Sequence, residues 1–545
     1  MKRLYWFALL LILLKQSNAQ EDYYFQWAKQ MEIMSSLSEK LLNNYIEKPN
    51  PEILMNDAIK GMLSETDRFT HYYTEQQMFD QRLRNMGKFS GIGVMVNNHR
   101  KGLAVIRVLP GSPAEKAGLK TGDIIRSTDG KRLDSLSYSA KKKLLSGKPG
   151  SEIELKLLRR GKTLTVKVKR AVIPQKTVPY YAMLDKTTGY IKLLRFSKNA
   201  GKEVQEAVVD LKNRGAKKLI LDLRGNPGGL LNQALYVAGL FLPTGTLVVK
   251  TKGRFEKFDK EYHTKNTPMD TEMPLAVLIN GNSASASEIV SGTLQEYDRA
   301  VIVGDTSYGK GLVQRFFPLK YGTYVKITIS KYYLPSGRLI QKIDYWHRDA
   351  KGKPGLFRTK HEKTFYTKHK RKVYEHGGIA PDIISKNEYA PIVKAIANQN
   401  YIFDFNTEYY YTHDKPENPG TLAGEDLVPD LVKYLQKNRL DPETTFEKKL
   451  EKNIRLAEKE NIPSGLLENL RQVSARLDKE QLDTLLNNAG IRHQLNRLII
   501  SDLMLRYFGP EAQYQWLLRD DETVKKALEI LGDEKRYGEV LDKGE

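Results

Sequence analysis

The spacing of apolar positions changes several times along the chain, and each change marks a different kind of element. From residue 20 to about 85 they recur at helical intervals: Tyr23, Tyr24, Phe25 and Trp27, then Met31, Ile33 and Met34, then Leu37, Leu41 and Leu42. Pro49-Asn-Pro51 breaks the pattern and Ile53–Leu63 resumes it. Between 88 and 172 the period falls to two. Ile92–Val96, Leu103–Val108, Ile153–Leu158 and Leu164–Val168 predict short strands, parted by turns such as Pro110-Gly111 and Asp129-Gly130. A helical piece over Ser137–Leu145 interrupts them. Residues 173 to about 340 alternate strands with helices: Tyr190–Leu193, a helix at Glu203–Lys212, Lys218–Leu223, a helix at Leu231–Leu242, Thr246–Lys250, Leu275–Asn280 and Ala300–Val303. Val313–Leu319 and Tyr324–Ser330 follow as strands. This is a β/α pattern with a mixed sheet. Residues 341–375 are polar, basic and loop-like, and 388–545 return to helical spacing.

Composition narrows the class. A chain of 545 residues exceeds one ordinary core, and 40% hydrophobic with 28% charged residues is globular, not disordered. The start, Met1–Leu14, has a basic lead and an apolar run too short to span a bilayer comfortably. Ser17-Asn-Ala19 follows with small residues, which predicts a cleaved signal peptide over 1–19 and an exported protein in the periplasm or cell envelope. No later apolar run would span a membrane. The absence of cysteine excludes disulfides, thiolate metal sites and a cysteine nucleophile. A formal charge of +23 suggests nucleic acid for a cytosolic protein, but these charges are dispersed. The densest cluster, Lys368–Lys372, has no interleaved aromatic platform and reads as a solvated loop. No nucleic-acid partner is expected.

The chemistry concentrates in Gly281–Gln314. Three alternating serines, Ser283, Ser285 and Ser287, follow an apolar strand, and Lys310 sits between Gly309 and Gly311 after the next strand. That order can bring a hydroxyl and an amine together. A lysine acting as base must be neutral, which desolvation favours at about 1.36 kcal/mol per pKa unit. Two plainer readings compete. Ser285-Ala-Ser-Glu288 has capping-box spacing, and Gly304–Lys310 matches a phosphate-cradling loop but lacks the following Ser or Thr, having Gly311 instead. A serine–histidine pair assembled by folding stays open. Arg224-Gly-Asn-Pro-Gly-Gly229, after a strand, presents backbone N–H groups suited to an anion or an oxyanion, or is a tight turn only.

Two resemblances sharpen this. Gly91-Ile-Gly-Val94, Val108–Gly118 and Gly122–Ile125 together resemble a PDZ domain, implying that the N–H groups of Gly91, Ile92, Gly93 and Val94 receive a peptide's terminal carboxylate. With that domain, Gly281–Gln314, Leu221–Gly229 and Gly377–Asp382 resemble the C-terminal processing (tail-specific) peptidases over about residues 55–385. The resemblance implies a Ser–Lys endopeptidase with Ser285 as nucleophile, Lys310 as general base and Gln314 positioning the lysine. It also implies an oxyanion hole from the N–H groups of Ala286 and of Gly228 or, preferentially, Gly229, and no cofactor or metal. The expected fold is multidomain α+β. A helical region (20–87) precedes a PDZ domain (88–172), a ClpP/crotonase-like β/α peptidase core (173–387) and a C-terminal helical region (388–545). Protein substrates with apolar C-terminal tails are the expected partners, and the helical regions could pair two copies as a homodimer. The alternatives are an inactive tail-binding scaffold, against which Ser285, Lys310 and Gln314 weigh, and an acyl-CoA enzyme, which leaves the PDZ segment unexplained.

Overall fold

A computed structural model describes residues 2–357, 363–386 and 388–542. The chain divides into two units, residues 1–72 with 325–327, and 73–324 with 328–545. The first unit is mainly helical, with strand residues at 71–72 and 325–327. Lys2–Asn44 form one helix, whose beginning is the expected leader, residues 1–19; the side chains there lie outside the described residues. Pro51–Ser64 form a second helix, started by Asn50, whose side chain accepts the N–H groups of Glu52 and Ile53, with proline at the first turn. Among the described residues no helix is long and apolar enough to cross a membrane.

The second unit begins with a small β-domain. Val94–His99, Gly102–Val108, Ile124–Thr128, Glu152–Arg159 and Lys162–Lys169 pair as successive antiparallel strands. Alternation sets its inside: Ile153, Leu155 and Leu157 enter a core with Ile92, Leu103, Val105 and Ile125. The helix Tyr138–Leu145 closes one side, started by Ser137 as its cap.

The body that carries the chemistry is a six-stranded sheet. Its order is Tyr180–Met183, Thr188–Lys192, Lys218–Asp222, Leu275–Ile279, Val301–Gly304 and Ile383–Ile384; the first pair is antiparallel and the rest parallel. Parallel strands covered on both faces read as unbroken apolar runs, and all five residues of Leu275–Ile279 are buried. The helices Ala200–Asn213, Leu231–Ala238 and Ala286–Glu296 cover one face. The other face is covered from the far end of the sequence: Val524, Ala527, Ile530 and Leu531 pack on Ile220, Ala276 and Leu278. The end of the C-terminal region is therefore part of the peptidase body. The remainder of that region has its own core around Val428, Leu431, Leu495, Ile499 and Leu503.

Two expectations need correction. Residues 341–375 are not simply a loop: Ile343–Arg348 pairs with Pro354–Leu356, and Thr364–Tyr366 with Lys372–Tyr374. Nor is the basic cluster wholly solvated. Arg371 is buried between Asp298 and Asp382, each at 2.6 Å. A turn at Lys370 (φ 67°) swings it inward, away from its exposed neighbours.

Candidate active site

The strand Leu275–Ile279 ends in a turn that distinguishes the three serines. Ser283 is fully buried; its hydroxyl donates to the Leu223 carbonyl at 2.8 Å and accepts the Asn280 N–H at 3.0 Å. Ser287 is also fully buried and donates to the Asn226 carbonyl at 2.8 Å. Both serve as structural hydroxyls. Ser285 is only partly buried and stands at the N-terminus of the helix Ala286–Glu296. Its backbone has φ 55° and ψ −114°, a region that a residue with a Cβ occupies only at a cost of about 1–3 kcal/mol. Such strain is characteristic of residues presented for chemistry.

Glu288 explains how the strained turn is held. Its carboxylate accepts the Ser285 N–H at 2.7 Å, which is the backbone half of the predicted capping box. The same carboxylate accepts the Ser307 hydroxyl at 2.5 Å, the Gly309 N–H at 2.6 Å and the Lys310 N–H at 3.0 Å. A fully buried side chain thus joins the serine turn to the lysine loop. Burial pushes its pKa up to about 7, against the pull of these four donors. Tyr332 makes a second bridge, its hydroxyl donating to the Lys310 carbonyl and lying 3.4 Å from the Ser285 carbonyl oxygen. A third runs from the Tyr308 N–H to the Ser283 carbonyl at 3.0 Å. The loop after Gly304 leads into the strand Leu312–Pro318, with no helix opening at Lys310, so it lacks the geometry of a phosphate cradle. Gln314 lies on that strand, where its amide donates to Thr328 at 3.2 Å.

The loop Arg224–Gly229 docks on the same turn. Asn226, fully buried, accepts the Ala284 N–H on its carbonyl, donates its amide to the Leu193 carbonyl and receives the Gly228 N–H at 2.9 Å. Gly228 is so close to the serine that a Cβ there would lie 2.9 Å from Ser285 Cβ and 2.9 Å from the Ala286 nitrogen. Gly229 has φ 154°, and a Cβ would sit 2.2 Å from the Phe196 carbonyl oxygen. The Gly228 N–H is therefore already engaged. Those of Gly229 and of Ala286, the first helical residue, have no hydrogen-bond partner among the described residues.

Beneath this loop lies an ion network. Asp222 contacts Arg224 at 2.6 Å, Lys192 at 3.0 Å and the Tyr190 hydroxyl at 2.7 Å. These cations hold its carboxyl far below the usual range despite burial. Arg224 also meets Asp521, the N-cap of the helix Glu522–Gly532, at 2.8 Å. Asp521→Ala takes one of two carboxylates from Arg224 and the N-cap from that helix, and is expected to cost about 2 kcal/mol, read as a lower urea midpoint.

In the β-domain, Gly91 pairs with Ala171 and Val94 with Val108. The N–H groups of Ile92 and Gly93, between them, have no partner among the described residues. Gly93 has φ 87°, which turns the backbone there. Of the expected loop, the Ile92 and Gly93 donors are thus available.

The sequence pattern gives Glu288 only a capping role and no part to Asn226, Tyr332 or Asp521. The loop-anchoring asparagine lies within Arg224-Gly-Asn-Pro-Gly-Gly229. Tyr332 and Asp521 reach the site through tertiary folding and carry no local signal.

A strained serine on a strand-to-helix turn, stitched to a lysine loop and preceded by a small β-domain, is the arrangement to be matched against known proteins. Residues 187–345 match Peptidase family S41, residues 90–169 a PDZ domain, and residues 392–531 the C-terminal helical domain of probable PDZ-proteases. A carboxy-terminal-processing protease of Bartonella bacilliformis is 35% identical over 61% of this chain and 77% of its own length. The carboxy-terminal processing protease CtpA of Bacillus subtilis is 32% identical over 76% of this chain and 88% of its own. A carboxyl-terminal-processing protease of Synechocystis is 36% identical over 56% and 72%. The chain belongs to the carboxy-terminal-processing proteases of peptidase family S41.

Proposed function

We propose that the protein is an exported serine endopeptidase that takes protein substrates by their apolar C-terminal tails and cleaves them with a Ser285–Lys310 dyad. The observation that carries this reading is the strained, partly exposed Ser285, joined to Lys310 through one buried carboxylate.

In the first step, neutral Lys310 Nζ takes the proton of Ser285 Oγ as the oxygen attacks the scissile carbonyl. The carbonyl oxygen becomes an oxyanion and accepts the N–H groups of Gly229 and Ala286; one such donor is worth about 3–4 kcal/mol in the transition state. The lysine ammonium then protonates the leaving amine, and an ester on Ser285 remains. Water attacks that ester, again losing its proton to Lys310, and the new carboxylate leaves as Ser285 recovers its proton. Gln314 is the proposed support for the lysine amine. The chemistry uses side chains and backbone alone.

Gly91, Ile92, Gly93 and Val94 are proposed to receive the tail's terminal carboxylate, and the free Ile92 and Gly93 N–H groups support that role. Export through a cleaved leader belongs to the same proposal. Self-association through the helical regions belongs to it too, supported by the exposed Tyr23, Tyr24, Phe25 and Trp27.

The test is cleavage of an unstructured protein whose last residues are apolar, beside the same protein with a polar or amidated end. Intact-tail substrate should turn over at least about tenfold faster in kcat/KM, the value of one lost charge-assisted bond. Indifference to the tail would contradict the PDZ role.

A further inference from the structure

A cavity of about 420 Å³ runs from the PDZ loop to the peptidase body, and its lining is one-sided in charge. Ile92, Val96 and Leu145 give it an apolar floor on the PDZ side, and Pro227, within the Arg224–Gly229 loop, lines it from the peptidase body. Arg84, Lys88, Lys142, Lys176 and Arg195 line it, and no aspartate or glutamate does among the described residues. Arg195 is the telling member. It lies on the segment whose next residue, Phe196, donates its N–H to the Gly228 carbonyl. It has no ion-pair or hydrogen-bond partner among the described residues, and its surroundings bring only a second cation. Burial and the like charge of Arg84 lower its pKa, so an anion would be welcome there. Thr177 and Ser197 line the same cavity, and their hydroxyl oxygens are buried with no hydrogen-bond partner among the described residues; the two residues are 4% and 1% exposed. A buried polar group without a partner is costly, and two in one cavity beside an unpaired guanidinium indicate a polar ligand.

A terminal carboxylate on the PDZ loop accounts for one negative charge at one end. It does not account for the cations beyond that loop, Lys176 and Arg195 on the peptidase body and Arg84 ahead of the β-domain. We propose that this cavity is an acid-reading subsite: substrate tails carry a glutamate or aspartate side chain a few residues before an apolar last residue, bound by Arg195 with Arg84, Thr177 and Ser197. This deepens the tail-binding reading above and rests on it. An acidic tail would be read jointly by the two domains, its last residue on the apolar floor and its carboxylate side chain against the body. The subsite would thereby favour tails already directed toward Pro227 and the oxyanion loop.

The experiment measures binding of short fluorescent peptides to the full-length Ser285→Ala protein, which removes turnover. The peptides end in valine and differ only in glutamate, glutamine or lysine at the second to fourth positions from the end. At least one glutamate peptide should bind about tenfold tighter than its glutamine partner, and the lysine peptide weaker still. Arg195→Gln should erase the glutamate preference, while Arg195→Lys retains part of it. Equal affinity of glutamate and glutamine peptides at all positions, on protein with unaltered Arg195, would overturn the subsite without depending on any variant's folding. C-terminal amidation of the same peptides tests the PDZ loop separately. A glutamate preference that survives amidation with undiminished affinity would overturn the carboxylate-loop reading and leave the acid subsite standing.

Discussion

Lys310→Ala is expected to lower kcat by about 10⁴-fold or more, with no comparable change in melting temperature. The size follows from the proposed dyad, whose members act as a unit: without the base the serine proton has no acceptor, and residual rate comes from the proposed oxyanion hole and binding alone. The stability expectation follows from the structure. The Lys310 backbone supplies the bonds to Glu288 and Tyr332, and alanine keeps both. Lys310→Arg should be as inactive as the alanine variant, because a guanidinium stays protonated and cannot act as base. Steady-state kinetics with thermal melts of the three proteins checks both halves. A Lys310→Arg protein with near-normal kcat would point to another base.

Glu288 carries the second large effect. Glu288→Ala leaves the Ser285, Gly309 and Lys310 N–H groups and the Ser307 hydroxyl without their acceptor. Unsatisfied buried donors of this kind should together cost about 3–5 kcal/mol. The serine turn and lysine loop also lose their shared clamp, and misplacement by about 1 Å costs about 10²-fold in rate. Glu288→Gln isolates the charge. Its amide oxygen can still accept, but its NH₂ group meets donors, so a loss of about 10²-fold in kcat is expected as well.

The pH dependence has a defined sign. With its pKa raised from 4.5 to about 7, the Glu288 carboxyl holds its proton more tightly in the folded than in the unfolded chain. Its contribution to stability is complete below about pH 4.5 and is lost as pH rises through about 7, a change of about 3 kcal/mol. Wild type should therefore weaken relative to Glu288→Gln across that window in urea titrations. Activity should move the other way, because the ionised carboxylate accepts all four donors. Below pH 7, log(kcat/KM) should fall more steeply with pH in wild type, where Glu288 takes up a proton, than in Glu288→Gln. Identical profiles would remove Glu288 from the ionisations that govern activity.

Much of this was legible in the chain because buried parallel strands announce themselves. Leu275–Ile279 and Val301–Val303 are unbroken apolar runs, and the Gly- and Ser-rich turns that follow them are where such folds place chemistry. The PDZ strands were legible from alternation, as in Ile153, Leu155 and Leu157. Choosing among the three serines was not possible from spacing, since burial separates Ser283 and Ser287 from Ser285 and depends on Leu223 and Asn226 in another loop. Contacts between distant segments were equally hidden. Arg371 looked like one charge in an exposed cluster, but its partner Asp298 lies 73 residues away. The hairpins within 343–374 escaped notice because their strands are largely exposed and carry no alternating apolar face. The last helices read as part of a C-terminal helical region, yet Ala527 and Ile530 pack on one face of the central sheet, and Asp521 holds Arg224 beneath the Arg224–Gly229 loop.

The central claim is that Ser285, and neither neighbouring serine, is the nucleophile. It is tested most directly by mass-spectrometric turnover of one unstructured, apolar-tailed protein by wild type, Ser283→Ala, Ser285→Ala and Ser287→Ala. The account predicts that Ser285→Ala alone falls to background, about 10⁴-fold or more below wild type, while the other two retain activity in proportion to the fold they keep. Cleavage by Ser285→Ala at a rate close to wild type would contradict it.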